Sequence, residues 1–306
     1  MSISLKRVVK VLAAMGVVVS MGSKRLYKLV SCFSGLSGVA FKVFFILGLG
    51  VSSELSWAQS LEDQRLASQT KFNFLNDLTL DSNVQKKASV DNNSGLTYTF
   101  GLKYKIDSKN SIWAFARAAK RLSGEERFDL LDTIVRYERS LGTFMGASNR
   151  FRLSAVLPTN EHVHETTSFN GALSGQLRSG LTLRPRLYLT VVNTLRWNFH
   201  RYRVSEVAGI NIQSTLRSSL LFSYTLNKKV LFSSSIGGVM AKTYKNKFRN
   251  HYNYDVSASY NLTNKATLTA GLGTSASATK ADGRSSNIRL FDERDTSYYL
   301  SLSHFY

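Results

Sequence analysis

From residue 71 onward apolar and polar residues alternate with a period of two, the mark of strands that bury one face. Leu96, Tyr98, Phe100, Leu102, Tyr104 and Ile106 share one side, opposed by Thr97, Thr99, Gly101, Lys103, Lys105 and Asp107. The pattern returns in Phe151, Leu153, Ala155 and Leu157 against Arg150, Arg152 and Ser154. Leu187, Leu189, Val191, Leu195, Trp197 and Phe199 oppose Arg186, Tyr188, Thr190, Thr194, Arg196 and Asn198. Ile210, Ile212, Leu216, Leu220, Phe222, Tyr224 and Leu226 form the next apolar face. Tyr252, Tyr254, Val256, Ala258, Tyr260 and Leu262, then Ala266, Leu268, Ala270 and Leu272, form two more. Segment 110–121 is Ala-rich and fits either a strand or a helical turn.

Tight polar connections fall at Asp107–Asn110, Gly146–Asn149, Arg184-Pro185, Asn227–Lys229 and Thr263–Lys265. Longer polar ones fall at about 83–94, 122–130, 159–167, 201–208, 245–250 and 280–292. Short and long connections alternate, and together they join twelve strands, many longer than the usual 5–6 residues. Long amphipathic strands with no helices between them predict an all-β fold, a closed antiparallel transmembrane β-barrel over residues 71–306. Lipid offers no water to polar groups, so the apolar face must point outward and the polar face inward. Aromatics at strand ends (Phe72, Phe74, Trp197, Phe199, Tyr252, Tyr254, Tyr298 and Tyr306) fit interfacial girdles. Only two prolines occur in 306 residues, as expected where every ladder donor is needed.

The last residues, SYYLSLSHFY, place Tyr298, Leu300, Leu302 and Tyr306 in alternation with Tyr299, Ser301, Ser303 and Phe305. This ending resembles the C-terminal assembly signal of Gram-negative outer-membrane β-barrel proteins, apart from His304, where that pattern carries an apolar group. The resemblance implies a porin-like barrel in the cell outer membrane, inserted by the barrel-assembly machinery and surrounded by lipid and lipopolysaccharide. It names no subfamily.

Residues 1–58 read differently. Lys6, Arg7, Lys10, Lys24, Arg25, Lys28 and Lys42 face a single acid, Glu54, and VFFILGLGV at 43–51 has the length of a signal-peptide core. Ser56-Trp57-Ala58 then supplies small residues for cleavage after Ala58, leaving 59–70 as a periplasmic tail. Met21 is a second candidate start. Leu29-Val30-Ser31-Cys32 matches a lipoprotein box, but Lys24, Arg25 and Lys28 occupy the place of its apolar core. Cys32 is the only cysteine, which excludes a disulfide framework or a cysteine zinc site. The net charge of +20 points first to nucleic acid. Seven of the forty basic and one of the twenty acidic residues precede residue 59, leaving 33 against 19, net +14. Those charges are dispersed one or two per strand, which argues against nucleic acid.

The inward phase collects Lys103, Lys105, Arg150, Arg152, Arg178, Arg184, Arg186, Arg196 and Arg217, with Asp107 and Asp255 as sparse acidic company. A narrow lumen of one sign focuses its field on passing ions, so a diffusion channel for small anionic solutes is expected. Pairing of these cations with lipid phosphates or with Glu125, Glu126, Asp129, Glu293 and Asp295 is the alternative. Arginine-lined porins for acidic oligosaccharides are similar in strand number and lumen charge, by analogy only.

Two other functions compete. Asn76-Asp77 and Thr97-Tyr98-Thr99-Phe100-Gly101 resemble lipid A deacylase barrels, which carry an Asn-Asp pair and a Tyr-Thr-x-Gly stretch. That resemblance implies an outer-membrane lipid hydrolase with Asn76 and Asp77 as catalytic candidates. The outer-membrane phospholipase A family uses a His and a Ser two positions apart, and no His-x-Ser occurs. His162-Val-His164 would put two imidazoles on one side of an extended segment, beside Glu161 and Glu165, as a base or a weak metal site. More often such a cluster is simply a solvated outside loop. The third function is a structural or surface-binding barrel with a closed lumen. The sequence implies no cofactor and no dedicated metal site.

Overall fold

A computed structural model describes residues 71–83, 94–123, 127–205, 209–278, 286–289, 291 and 295–306. The expected leader, its cleavage point after Ala58 and the tail at 59–70 lie outside these residues, as do Glu125, Glu126 and Glu293. Twelve long strands run in chain order. They are β1 (Phe72–Asn83), β2 (Ser94–Lys105), β3 (Asn110–Arg121), β4 (Phe128–Phe144), β5 (Ala147–Leu157) and β6 (Phe169–Arg184). After β7 (Leu187–His200) come β10 (Ile212–Thr225), β11 (Val230–Thr243), β12 (Phe248–Asn261), β13 (Ala266–Ser277) and β14 (Thr296–Phe305). Between β7 and β10 sits a small hairpin, β8 (Val204–Ser205) with β9 (Gly209–Ile210), and helix α1 (Glu161–Thr167) lies between β5 and β6.

The twelve strands pair antiparallel with their neighbours, and β1 pairs with β14, so the sheet is a closed twelve-stranded antiparallel barrel. Closure leaves no edge strand with unpaired backbone groups. The Ala-rich segment 110–121 is strand β3, because Ser111, Trp113 and Phe115 bury one face while Ile112, Ala114 and Ala116 take the other. The connection expected to be long at 245–250 is instead a tight turn, in which Thr243 N donates to Lys247 O at 2.9 Å. Alternation of connection lengths therefore holds at five of the six long-loop positions.

Three short turns share one chemistry. Asp107 Oδ1 accepts from Lys109 N at 2.7 Å and Asn110 N at 2.8 Å. Asn227 Oδ1 accepts from Lys229 N and Val230 N, and Thr263 Oγ1 from Lys265 N and Ala266 N. A short polar side chain thus caps two backbone donors before the next strand begins. Hydrogen bonds from the Asn110 side chain and the Lys109 backbone hold the Asp107 carboxyl below its usual range.

Burial is inverted relative to a water-soluble domain. Large apolar side chains such as Phe72, Leu80, Leu195 and Phe232 are exposed, whereas Asp77, Arg152, Ser235 and Thr269 are buried. Outer faces are mainly apolar and inner faces mainly polar on the long strands whose alternation the sequence displayed. That is the distribution a barrel takes in hydrocarbon. Aromatics cluster on the outer face at the short-turn end, where Phe72 and Tyr104 lie 5.0 Å apart and Phe74 and Phe100 6.3 Å apart.

At the seam, Leu75 lies opposite Phe305 and Asp77 opposite Ser303. Tyr298, Leu300, Leu302 and Tyr306 are exposed on the outer face. Phe305 turns inward and packs with Leu75, Trp113 and Phe115. The terminal segment is therefore a full wall strand with one aromatic folded into the interior.

Candidate functional site

The antiparallel registers bring inward side chains into rows that cross the strands. One row runs Lys103, Trp113, Arg136, Ser154, Ser174 and Arg196 from β2 to β7. The next runs Glu138, Arg152, Gln176, Thr194 and Arg217 from β4 to β10. A third places Ser140, Arg150 and Arg178 side by side. On the other flank an apolar row runs Leu75, Gly101, Phe115, Ile134, Val156 and Ala172. The rows follow from the period of two, since residues i and i+2 on a strand share a face.

Of the basic residues expected inside, Lys103, Lys105, Arg150, Arg152, Arg178, Arg196 and Arg217 stand at inward positions of these rows or of their strands. Arg184 and Arg186 sit at the β6–β7 turn, where Arg186 adopts a φ of 73° and its Nη1 donates to Leu226 O at 3.1 Å. Asp107 belongs to a turn, not to the lumen. Sequence reading missed Arg117, Arg136 and Glu138, because β3 and β4 alternate poorly and carry charges on both phases. Arg139 is exposed while its neighbour Glu138 is buried. Their signal was the spacing Ile134, Arg136, Glu138, Ser140 within a strand whose other phase holds Val135, Tyr137 and Leu141.

Glu138 organises the centre of this wall. Arg152 Nε donates to Glu138 Oε2 in a buried ion pair, and Arg150 Nη1 lies 3.4 Å from Glu138 Oε1. Arg152 Nη1 continues to Gln176 Oε1 at 3.3 Å, and Gln176 Nε2 donates to Thr194 Oγ1 at 3.0 Å. Aromatic platforms support other cations. Trp113 and Phe115 stack at 5.2 Å, with Lys103 Nζ 4.8 Å above Trp113 and the Arg136 guanidinium 5.0 Å above Phe115. Ring faces attract cations, so these charges are held against the wall instead of coiling outward.

The opposite wall is built differently. On β11 to β14 the mid-barrel inward positions are Ser233, Ser235, Ser257, Ser259, Thr267, Thr269, Ser301 and Ser303. Its mid-wall charge is the carboxylate of Asp255 on β12, with Arg249 on the same phase near the start of that strand, and Asp77 and Asp81 join it from β1. Asp77 Oδ2 accepts from Ser301 Oγ at 2.7 Å and Ser303 Oγ at 2.5 Å, and Oδ1 from Thr79 Oγ1 at 2.9 Å. Tyr299 Oη donates to Asp255 Oδ1 at 3.4 Å.

The hydrolase candidates are not brought together. Asn76 and Asp77 are adjacent on a strand and point to opposite faces. Asn76 Oδ1 accepts from Tyr98 Oη at 2.5 Å on the outer surface, while Asp77 is buried inside among serine hydroxyls. The segment with His162 and His164 is helix α1 and not extended, so two positions apart means nearly opposite sides, by 3.6 residues per turn. Its cause is local: Asn160 caps it, its side chain accepting from Val163 N at 3.1 Å. His164 Nδ1 lies 2.7 Å from Phe169 O. No group of three or more His, Cys, Asp or Glu side chains that could hold a metal forms among the described residues.

No family model matches the chain, and no curated protein matches it in sequence. Among solved structures, an outer-membrane channel from Pseudomonas putida F1 superimposes with a TM-score of 0.55 at 10% identity, over 77% of this chain and 95% of that one. The KdgM porin gives 0.46 at 12% identity, over 75% and 98%, and the NanC porin 0.46 at 10%, over 76% and 98%. At these identities the likeness to the Pseudomonas channel is one of fold.

Proposed function

We propose that this chain is an outer-membrane diffusion channel whose basic inner wall favours small anionic solutes. The observation that carries the reading is the combination of an apolar exterior with an interior wall of guanidinium and ammonium groups. A dominant sign along a narrow, low-dielectric passage concentrates counter-ions there. The barrel shares its fold with a solved outer-membrane channel, which supports the same reading. Lipid and lipopolysaccharide are the expected surroundings, and the barrel-assembly machinery the expected inserting partner.

A structural barrel with a closed lumen is the second reading, favoured by the burial of so many interior side chains. Planar-bilayer recordings of the refolded full chain separate the two. Conductance steps are expected, with a reversal potential in a salt gradient displaced toward the anion. Arg217→Glu should move that potential toward the cation. An absence of steps at any salt concentration would reject the channel in favour of the closed barrel. Steps whose reversal potential ignores Arg217→Glu would reject the lining role of that wall.

A further inference from the structure

The long-loop end of the barrel carries a folded cap. Helix α1 bends in over the wall, and its Val163 rests on Phe169 and on the inward-facing Val156 and Ala172. Hydrogen bonds tie the cap to neighbouring loops. Arg201 N donates to Ser168 O at 2.9 Å, Asn211 Nδ2 to Thr167 O at 2.9 Å and Ser205 Oγ to Thr166 O at 2.9 Å. Tyr244, in the turn after β11, joins the same group. Its N donates to Asn211 O at 3.2 Å and its Oη to Asn198 O at 3.0 Å.

His200 stands where these pieces meet. It is the last residue of β7, beyond the outward Trp197 and Phe199, and it pairs with Phe169 at the start of β6. Its ring meets Phe169 edge-on at 5.5 Å and Tyr244 edge-on at 5.7 Å. Its Nδ1 is buried and has no hydrogen-bond partner among the described residues. Three other ionisable groups converge on this spot. From β7 the Arg196 guanidinium lies 5.8 Å from the Phe169 ring, Tyr244 comes from the turn after β11, and on α1 His164 Nδ1 lies 2.7 Å from Phe169 O. Among the described residues, Arg196 is the one charge that acts on the His200 ring.

A neutral imidazole suits this place, because only one of its nitrogens carries a proton to donate. An imidazolium must donate from both, and its Nδ1 proton would lie buried against aromatic rings with no acceptor. Burial alone imposes that penalty, whatever Arg196 is paired with. We infer that His200 is a pH-sensitive latch, which seats the cap on the outer mouth of the barrel when neutral and releases it when protonated. The seated form keeps the ring neutral, and the released form lets it titrate near its ordinary value of about 6.5. Seating is therefore complete above about pH 7 and weakens by up to about tenfold for each unit below about 6.5. Withdrawal of the His200 ring removes one wall of Phe169, and Phe169 supports Val163, so the release passes to α1. What the latch regulates rests on the channel reading, but the movement itself is measurable without conduction.

The test is amide hydrogen exchange of the refolded full chain in detergent at about pH 8 and about pH 5, corrected for the intrinsic effect of pH. The amides of His164, Arg201 and Tyr244 report the cap, since they bond Asn160 O, Ser168 O and Asn211 O. Their protection should fall by roughly tenfold to thirtyfold at the lower pH, while amides in the middle of the strands keep theirs. His200→Gln does not titrate, so it should keep the cap protected at both values. His200→Arg is charged at both, so it should leave the cap unprotected throughout while the folded barrel keeps its heat-resistant gel mobility. Protection that ignores pH, or an undiminished loss in His200→Gln, would overturn the latch. So would a loss that His164→Gln abolishes and His200→Gln does not. Bilayer recordings at the same two pH values test the channel separately. Conductance with a cap indifferent to pH sinks the latch alone, and a cap that releases without conductance sinks the channel alone.

Discussion

The two halves of the barrel interior solve the same packing problem with opposite chemistry. From β2 to β7 and on to β10, long cations are anchored on aromatic rings, on amide groups and on one carboxylate. From β11 through β14 to β1, short hydroxyl side chains and glycines line the wall, and apart from Arg249 at the start of β12 the charges are carboxylates. A cationic half facing a hydroxyl-rich, weakly acidic half sets a field across the interior as well as along it. The contrast teaches where stability and function are stored. On the basic wall the charges depend on one another, so a single loss should spread. On the hydroxyl wall the bonds run between near neighbours, as from Ser301 and Ser303 to Asp77 and between Ser259 and Thr269 at 2.9 Å, so a loss should stay local.

The largest effect is expected at Arg152, whose side chain is 4% exposed and bonded to a Glu138 side chain that is 8% exposed. Arg152→Ala leaves that carboxylate buried with only Arg150 beside it, and breaking such a pair costs about 3–5 kcal/mol. Urea titration of the refolded barrel, followed by its gel mobility, should show the loss. The paired replacement Arg152→Met with Glu138→Leu should recover most of it, since exchanging both partners for apolar groups is often neutral. If the double variant is as unstable as the single one, the basic wall is not a coupled network.

Next comes the one carboxylate that ties the hydroxyl wall together. Asp77 accepts from Ser301 and Ser303 across the β1–β14 seam, the contact that closes the barrel. Asp77→Ala should cost about 2–4 kcal/mol, from lost bonds to a charged acceptor, and should slow refolding yields measurably. Asp77→Asn, which keeps the shape and accepts through one oxygen, should cost less. Equal effects of the two would mean that volume, not hydrogen bonding, holds the seam.

How much of this was legible in the sequence follows the same division. Strand number, closure and the outward face could be read from alternation such as Leu96 to Ile106, because a lipid-facing surface forces a strict period of two. The positions of Lys103, Arg150, Arg152, Arg178, Arg196 and Arg217 came with that phase. Arg136 and Glu138 did not, since β4 carries Arg139 on its outer phase and pairs with β5 through a register shift between Ser140 and Gly142. Arg184 and Arg186 kept the right phase but lie where the chain leaves the wall. The Asn76-Asp77 pair failed for a plainer reason: adjacent residues on a strand cannot serve one site. His162 and His164 were misplaced by a single cap, Asn160, whose helix-starting role depends on the three residues after it.

A smaller effect tests how closely the hydroxyl wall is packed. The Tyr299 ring lies across Gly271, so that an added Cβ would stand 2.3 Å from Tyr299 Cζ. This is where the phenol must pass to reach Asp255. Gly271→Ala should therefore cost about 1–3 kcal/mol by overpacking. Tyr299→Ala in the same chain should cancel much of that penalty in a double-mutant cycle. Additive costs would show that the ring and the glycine are not in conflict.

The smallest effect belongs to Ser235, and its smallness is the point. The residue is fully buried on β11, and its Oγ has no hydrogen-bond partner. A buried hydroxyl with no partner contributes nothing and costs its desolvation, so Ser235→Ala should be neutral or stabilising by up to about 1 kcal/mol. The same truncation logic applied to Arg152 predicts a loss several times larger with the opposite sign. Chemical denaturation of both variants side by side measures the asymmetry of the two walls directly. A clear destabilisation by Ser235→Ala would mean that an unseen partner, such as an interior water, bonds this hydroxyl. Loss of one small hydroxyl would then matter on this wall too, and the contrast between the two walls would narrow.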